Sequence, residues 1–257
     1  MTHDANTLKG AGIVIARVEG RGETLREHII AAGGEVLLFP VIAIRALPAP
    51  ALPATAPDWL IFTSVSAVDH GLDICVRRMT PATRVAAIGG ATAKALQDAG
   101  IRVDALPDRQ ETEGLLELPE FRAVQDAGCW IIRGRDGREL LASALFARGA
   151  RVTVIDVYER TLPATPVAPL LEWWRQGRVD AIVVSSHSSL VNLHAMLDAE
   201  GRRFLGETQL VMPTERMLKL AHDLHIRPAP IIATNIADAA VLSALQEWWR
   251  DRPQDSR

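Results

Sequence analysis

The chain has little of what marks the common chemistries. Among 257 residues there is one tyrosine, Tyr158, and two cysteines, Cys75 and Cys129. The cysteines stand far apart and form no CxxC, which excludes a disulfide framework and a dithiol redox motif. Both are expected to be reduced, structural thiols of a cytoplasmic protein. No apolar run approaches the roughly 20 residues that a membrane helix needs. The opening MTHDANTLKG has no apolar core of a signal peptide. A net charge of −3 supplies no basic field for nucleic acid or an anionic membrane. GxxxxGKS/T, GxGxxG and GxSxG are all missing, so P-loop, dinucleotide and nucleophile-elbow chemistries have no carrier. Histidines 3, 28, 70, 187, 194, 222 and 225 are scattered. His222 and His225 are expected to share a helix face, but no nearby carboxylate or thiol completes a metal set. Neither a metal nor an organic cofactor is expected.

What is present is a frame that occurs twice. WIIRGRDGRELLASALFARGARVTVIDVYER (130–160) reads as buried strand, glycine-bearing turn, helix ending at Gly149, and a second strand that delivers Tyr158. GIVIARVEGRGETLREHIIAAGGEVLLFPVIAIR, ending at Arg45, has the same layout. Arg17, Glu23, Leu25, Ile29, Gly33 and Val36 match Arg133, Glu139, Leu141, Leu145, Gly149 and Val152 at one offset, 133 − 17 = 116. A second block repeats at an offset of 122, DWLIFTSVSAV (58–68) against DAIVVSSHSSL (180–190). A third, RVAAIGGATAKALQDAGI (84–101), parallels QLVMPTERMLKLAHDLHI (209–226). The Pro/Ala stretches 46–57 and 162–169 repeat as linkers, and 111–118 and 235–245 read as a capped helix in each half. This is an internal duplication. At the offset of 116, Tyr158 stands opposite Ile42, so the phenol belongs to one copy only.

Alternating strands and helices of this length predict two similar α/β domains, each with a parallel sheet covered on both faces. Strand one is expected at 13–16, a helix at 23–32, and an extended segment at 36–44 in which Pro40 argues for an edge or crossing strand. Residues 1–9 are expected to fray. The loops at the strand C-termini are where ligands bind in such sheets. Thr63-Ser64 and Ser185-Ser186 precede helices there: the hydroxyls suit N-capping, and the same positions suit an anion seat. Gly89-Gly90-Ala91-Thr92 allows close backbone approach to a ligand. Arg133 and Arg138 flank a glycine turn, either as solvated surface charge or as forks for carboxylate or phosphate. Tyr158 is either a half-buried strand residue or a catalytic phenol. The pairs Trp173-Trp174 and Trp248-Trp249 at helix ends are read as covering core edges, a partner surface being the lesser reading.

Taken together, IFTSVSAV (61–68), AIGGATAKAL (87–96), TEGLL (112–116), the 133–152 block, VYER (157–160) and VSSHSSLVNL (184–193) resemble the uroporphyrinogen-III synthase family, from Ile13 to about Leu245. The resemblance implies two flavodoxin-like α/β domains joined by a two-stranded linker. One would combine 1–40 with 163–257 and the other span 44–158, with 41–43 and 159–162 as the ladder between them. It implies an enzyme, a lyase, that takes hydroxymethylbilane, an open chain of four pyrroles, expels its terminal hydroxyl as water, inverts the last ring and closes the macrocycle. Uncatalysed closure gives the type I isomer. Conformational control then outweighs strong acid–base groups, and a neutral phenol suffices to protonate the leaving hydroxyl. Tyr158 matches the family's tyrosine in that role. The substrate's eight carboxylates imply binding by helix N-termini: Thr63, Ser64, Gly90, Thr92, Glu113 through its backbone, Gly114, Ser186, Ser188, Asn192 and Thr214, with Arg133 and Arg138 adding side-chain pairing. The chain departs from the family at Val211-Met212-Pro213-Thr214-Glu215, where a glycine is frequent and proline removes one N–H donor. Ser66 and His187 also stand where other residues are common. The rival expectation is a bilobed protein that binds a polyanionic tetrapyrrole without turnover. A monomer is expected, with at most transient contact with the preceding enzyme of the pathway.

Overall fold

The structure is a computed structural model that describes residues 6–48 and 50–252. His3, residues 1–5 of the segment expected to fray, and Ala49 of the first linker lie outside the described residues. Two compact units result. A discontinuous unit joins the residues up to Ala43 with those from Thr161 onward, and a continuous unit spans Ile44–Arg160.

The strands are β1 (Gly12–Ala16), β2 (Glu35–Leu38), β3 (Ala43–Ala46), β4 (Trp59–Phe62), β5 (Arg84–Ala87), β6 (Gly128–Gly134), β7 (Arg151–Thr161), β8 (Ala181–Val184), β9 (Gln209–Met212) and β10 (Ile231–Ile232). They form two five-stranded sheets, β10-β9-β8-β1-β2 and β3-β7-β6-β4-β5. The pairings along β2-β1-β8-β9-β10 and along β7-β6-β4-β5 are parallel. The helices are α1 (Glu23–Ala31), α2 (Val65–Val76), α3 (Gly90–Asp98), α4 (Thr112–Glu117), α5 (Pro119–Arg122), α6 (Leu140–Ala147), α7 (Ala168–Arg175), α8 (His187–Met196), α9 (Ala199–Glu207), α10 (Leu218–Asp223) and α11 (Asp238–Arg250).

The duplication is visible in register. Ile13 pairs with Val36 in the first sheet, and Cys129 pairs with Val152 in the second. Trp59 pairs with Cys129 as Ala181 pairs with Ile13. The matched helix positions Leu25, Ile29, Leu141 and Leu145 are all buried. Both helices stop at a glycine in the left-handed region, Gly33 at φ +89° and Gly149 at φ +81°, where a side chain is disfavoured.

Because the continuous unit's sheet is covered on both faces, its strands are apolar without a break. Leu60, Phe62, Trp130 and Ile132 pack into one core cluster, while Trp59, Ile61, Cys129 and Ile131 pack into another. Alternate side chains of one strand thus point to opposite faces.

Several expectations need correction. Residues 6–9 do not fray: Leu8 is fully buried and its amide donates to the Ala32 carbonyl. The extended segment 36–44 is two strands, because Phe39-Pro40-Val41 interrupts the ladder and β3 joins the other sheet. The helix expected over 235–245 begins at Asp238, after Asn235 accepts the Ala237 amide at 2.8 Å. His225 is not on a helix face with His222: α10 ends at Asp223, and His225 adopts φ +58°. The tryptophan pairs do cover core edges. Trp174 donates from its indole to Thr208 Oγ1 at 2.9 Å, and Trp248 and Trp249 pack on the discontinuous unit's core.

Candidate active site

A cavity of about 330 Å³ opens in the continuous unit, walled by the ends of β4 and β6, the Arg133–Arg138 turn, the start of α4, and Tyr158 and Arg160 of β7. Its position at the strand C-termini follows from parallel topology.

Tyr158 reaches this wall through a β-bulge. Arg133 pairs with Asp156, but Gly134 pairs with Tyr158, so one extra residue of β7 is accommodated there. Without the bulge, Val157 and Tyr158 would face opposite sides of the sheet. With it, Ile155, Val157 and Tyr158 all join one core cluster. Only 3% of Tyr158 is exposed. Its ring is held by the core, and its hydroxyl lies 3.1 Å from Ser64 Oγ. The ring also lies over Gly134, where an added Cβ would come within 2.7 Å of Cε2 and Cζ. The matching position in the first copy is the bridge Val18–Ile42. Valine over isoleucine in one copy has become glycine under tyrosine in the other.

Ser64 is the N-cap of α2 and accepts the Ala67 amide at 3.1 Å. That bond satisfies the third helical amide and leaves those of Val65 and Ser66 without an intrahelical partner. The cap is thus compatible with an anion seat at the same helix end. Thr63 is committed to the sheet, its hydroxyl and its amide both donating to the Ile132 carbonyl at 3.1 Å.

Arg133 is buried, and its fork is filled internally. Nε donates to Asp156 at 3.0 Å, Nη2 to Glu139 at 2.6 Å, and Nη1 to the carbonyls of Gly137 and Arg138. Its guanidinium clamps the turn, which corrects the expectation of a free substrate fork. Burial works against its charge, but the bonds to Glu139 and Asp156 leave its pKa raised. Arg138 donates to Glu113 at 2.6 Å, and that bond holds the Glu113 carboxyl below the usual range. Gly114 is packed so closely on the Arg109 carbonyl that a Cβ would stand 2.0 Å from its oxygen. It is a packing glycine. The Gly90 amide is also already engaged, donating to Gln110 Oε1 at 2.9 Å. A carboxylate could reach it only by displacing that side chain. Thr92 is buried in the first turn of α3.

The remaining expected residues belong to the discontinuous unit. Ser186 caps α8 by accepting the Ser189 amide, with Ser188 exposed on the first turn. Asn192 donates to the Val41 carbonyl at 2.9 Å, a structural tie. Thr214 caps a 3-10 turn, Glu215–Met217, just after Pro213. Several cavity residues were not among the site residues expected from the sequence, Gly134, Arg135 and Arg160 among them. The offset of 116 held the signal for two of them, since Gly134 faces Val18 and Arg160 faces Ile44.

A family model described as uroporphyrinogen-III synthase HemD matches residues 23–235. The chain is 32% identical over 245 residues to a uroporphyrinogen-III synthase of Salmonella typhimurium, covering 91% of this chain and 99% of that one. It is 31% identical to one of Escherichia coli with the same coverage. Its fold is similar to a crystal structure of uroporphyrinogen-III synthetase from Helicobacter pylori, with TM-score 0.60 at 16% identity over 93% of this chain and 99% of that one. A mutant uroporphyrinogen III synthase from Thermus thermophilus gives TM-score 0.57 at 20% identity over 93% and 98%. With its family model spanning most of its length and relatives above 30% identity over nine-tenths of it, the chain belongs to the uroporphyrinogen-III synthase family.

Proposed function

We propose that this enzyme closes hydroxymethylbilane to uroporphyrinogen III, with Tyr158 as the proton donor to the departing hydroxyl. The observation that carries this reading is the placement of the lone phenol: on a cavity wall, hydrogen-bonded to Ser64, in the one copy of the frame that has it. The pyrrole nitrogen's electron pair drives out the carbinol oxygen as the C–O bond breaks. The phenol proton goes to that oxygen, and water leaves. The substituted carbon of the last ring bonds to the methylene so freed, its old bond to the neighbouring ring's methylene breaks, and that methylene bonds to the last ring's unsubstituted α-carbon, whose proton returns to the phenolate. A core-held ring is suited to this, because a general acid must be positioned rather than strong.

Acid arms of the substrate find the first-turn amides of α2, beyond the cap of Ser64. Arg138 stands on the cavity wall, held by Glu113, while Thr92 and Gly114 pack the first turns of α3 and α4. A cavity of about 330 Å³ is at the small end of ligand sites, enough for part of a four-ring chain. A monomer in a reducing cytoplasm remains our reading, with only transient contact with the enzyme that makes the bilane. The buried thiols support the reducing compartment: burial pushes Cys75 up to about 12 and Cys129 up to about 11.

Incubating hydroxymethylbilane with the pure protein and separating the product isomers tests the reading. The type III isomer is expected. Type I alone would overturn it, and tight binding with an unchanged isomer ratio would mark a binding protein instead.

A further inference from the structure

Tyr158 is not the only residue at which the two copies diverge. Aligned at the offset of 116, Val157-Tyr158-Glu159-Arg160 stands against Val41-Ile42-Ala43-Ile44. Three polar residues have replaced three apolar ones in succession, and only the valine is shared. Tyr158 is assigned above. Glu159 is engaged within the protein, where it accepts from Arg45, and from Arg135 at 2.7 Å, so it neutralises two arginines at once. Arg160 remains.

Four arginines line the cavity, and three are spent on the protein. Arg133 is held by Asp156 and Glu139, Arg135 by Glu159, and Arg138 by Glu113. Among the described residues, Arg160 is bonded to no protein carboxylate or carbonyl, and it is exposed. Asp136, also on the wall, is not bonded to it. Arg160 follows Tyr158 by two residues in β7, so both side chains leave the same face of the strand. A guanidinium that takes no internal partner, beside a phenol and on the wall of a site for a polycarboxylate, has the fork geometry to bind one of its acid arms.

We infer that Arg160 is a substrate-binding residue that pairs with a carboxylate arm of the bilane and so sets the substrate beside Tyr158. The inference rests on the function proposed above. Such a pair acts in ground state and transition state alike, so its loss raises KM and leaves kcat nearly unchanged.

The test uses full-length Arg160→Gln and Arg160→Lys in two measurements: steady-state kinetics with hydroxymethylbilane, and equilibrium titration with uroporphyrinogen III. Arg160→Gln is expected to raise both KM and the product's Kd by about tenfold or more, the usual weight of a charge-assisted pair. Arg160→Lys should fall between, keeping the charge but losing the fork. Added salt should weaken binding to the parent more than to Arg160→Gln. The melting temperature should stay constant, since no internal bond is lost. KM and Kd within twofold of the parent, or a change confined to kcat, would overturn the inference. If the parent makes no type III isomer, the function fails, and the titration still decides Arg160.

Discussion

A glycine at position 134 is what allows the phenol of Tyr158 to lie across β6. Even one methyl group there would meet the ring at 2.7 Å, and the ring has no room to retreat from a packed core. Gly134→Ala should therefore destabilise the protein by about 1–3 kcal/mol and displace the phenol. We expect the variant's kcat with hydroxymethylbilane and its melting temperature to fall together, while both at the parent's values would show that the ring had not moved. The thiols offer a second check at this scale. With both thiols buried and raised to about 12 and about 11, neither should react with a thiol reagent at pH 7 before unfolding, and both should react after. Rapid labelling of native protein would contradict the packing. Tyr158 could be singled out from sequence because a duplicated frame exposes what only one copy has. Arg133 could not be resolved, because its acceptors Asp156 and Glu139 lie on other elements and nothing in the spacing brings them to it.

Among the elements, the helix ends were the most legible. Gly33 and Gly149 end α1 and α6 in the left-handed region, as a glycine just past a helical pattern implies. Replacing either by alanine should cost about 1–2 kcal/mol. The two costs should be similar, although an added Cβ at Gly149 meets Gln125 at 2.1 Å, because that side-chain amide can swing away. Chemical denaturation of the two variants checks this, and a Gly149→Ala cost several times that of Gly33→Ala would show Gln125 to be fixed. The bulge in β7 was not legible, since a strand's apolar pattern does not reveal which partner residue it skips. The same strand carries Glu159, whose bond to Arg45 is the main cause holding its carboxyl below the ordinary range. A depressed carboxyl contributes stability above its unfolded pKa, near 4.5, and loses it as pH falls through the folded value. Glu159→Gln should be less stable than the parent at neutral pH, and the gap should close below pH about 4.5. Melting curves across that range measure it, and a gap that widens in acid would refute the assignment.

Over the whole molecule, one ancestral frame has been used twice with different results. Both copies keep the buried arginine, Arg17 and Arg133, each with an acidic partner, and both keep the parallel strand order. The phenol, its glycine and the unpaired arginine occur in one copy. Alternation of strand and helix made the α/β class legible because burial on both faces writes it into long apolar runs. Ligand contacts were less so: hydroxyls before a helix read alike whether they cap it, as Ser64 does, or tie down a strand, as Thr63 does. Tyr158→Phe tests the central claim most directly, by comparing its turnover of hydroxymethylbilane and its product isomers with those of the parent. The account predicts type III product formed about 10²-fold more slowly, with the melting temperature retained. Turnover at the parent's rate would contradict it.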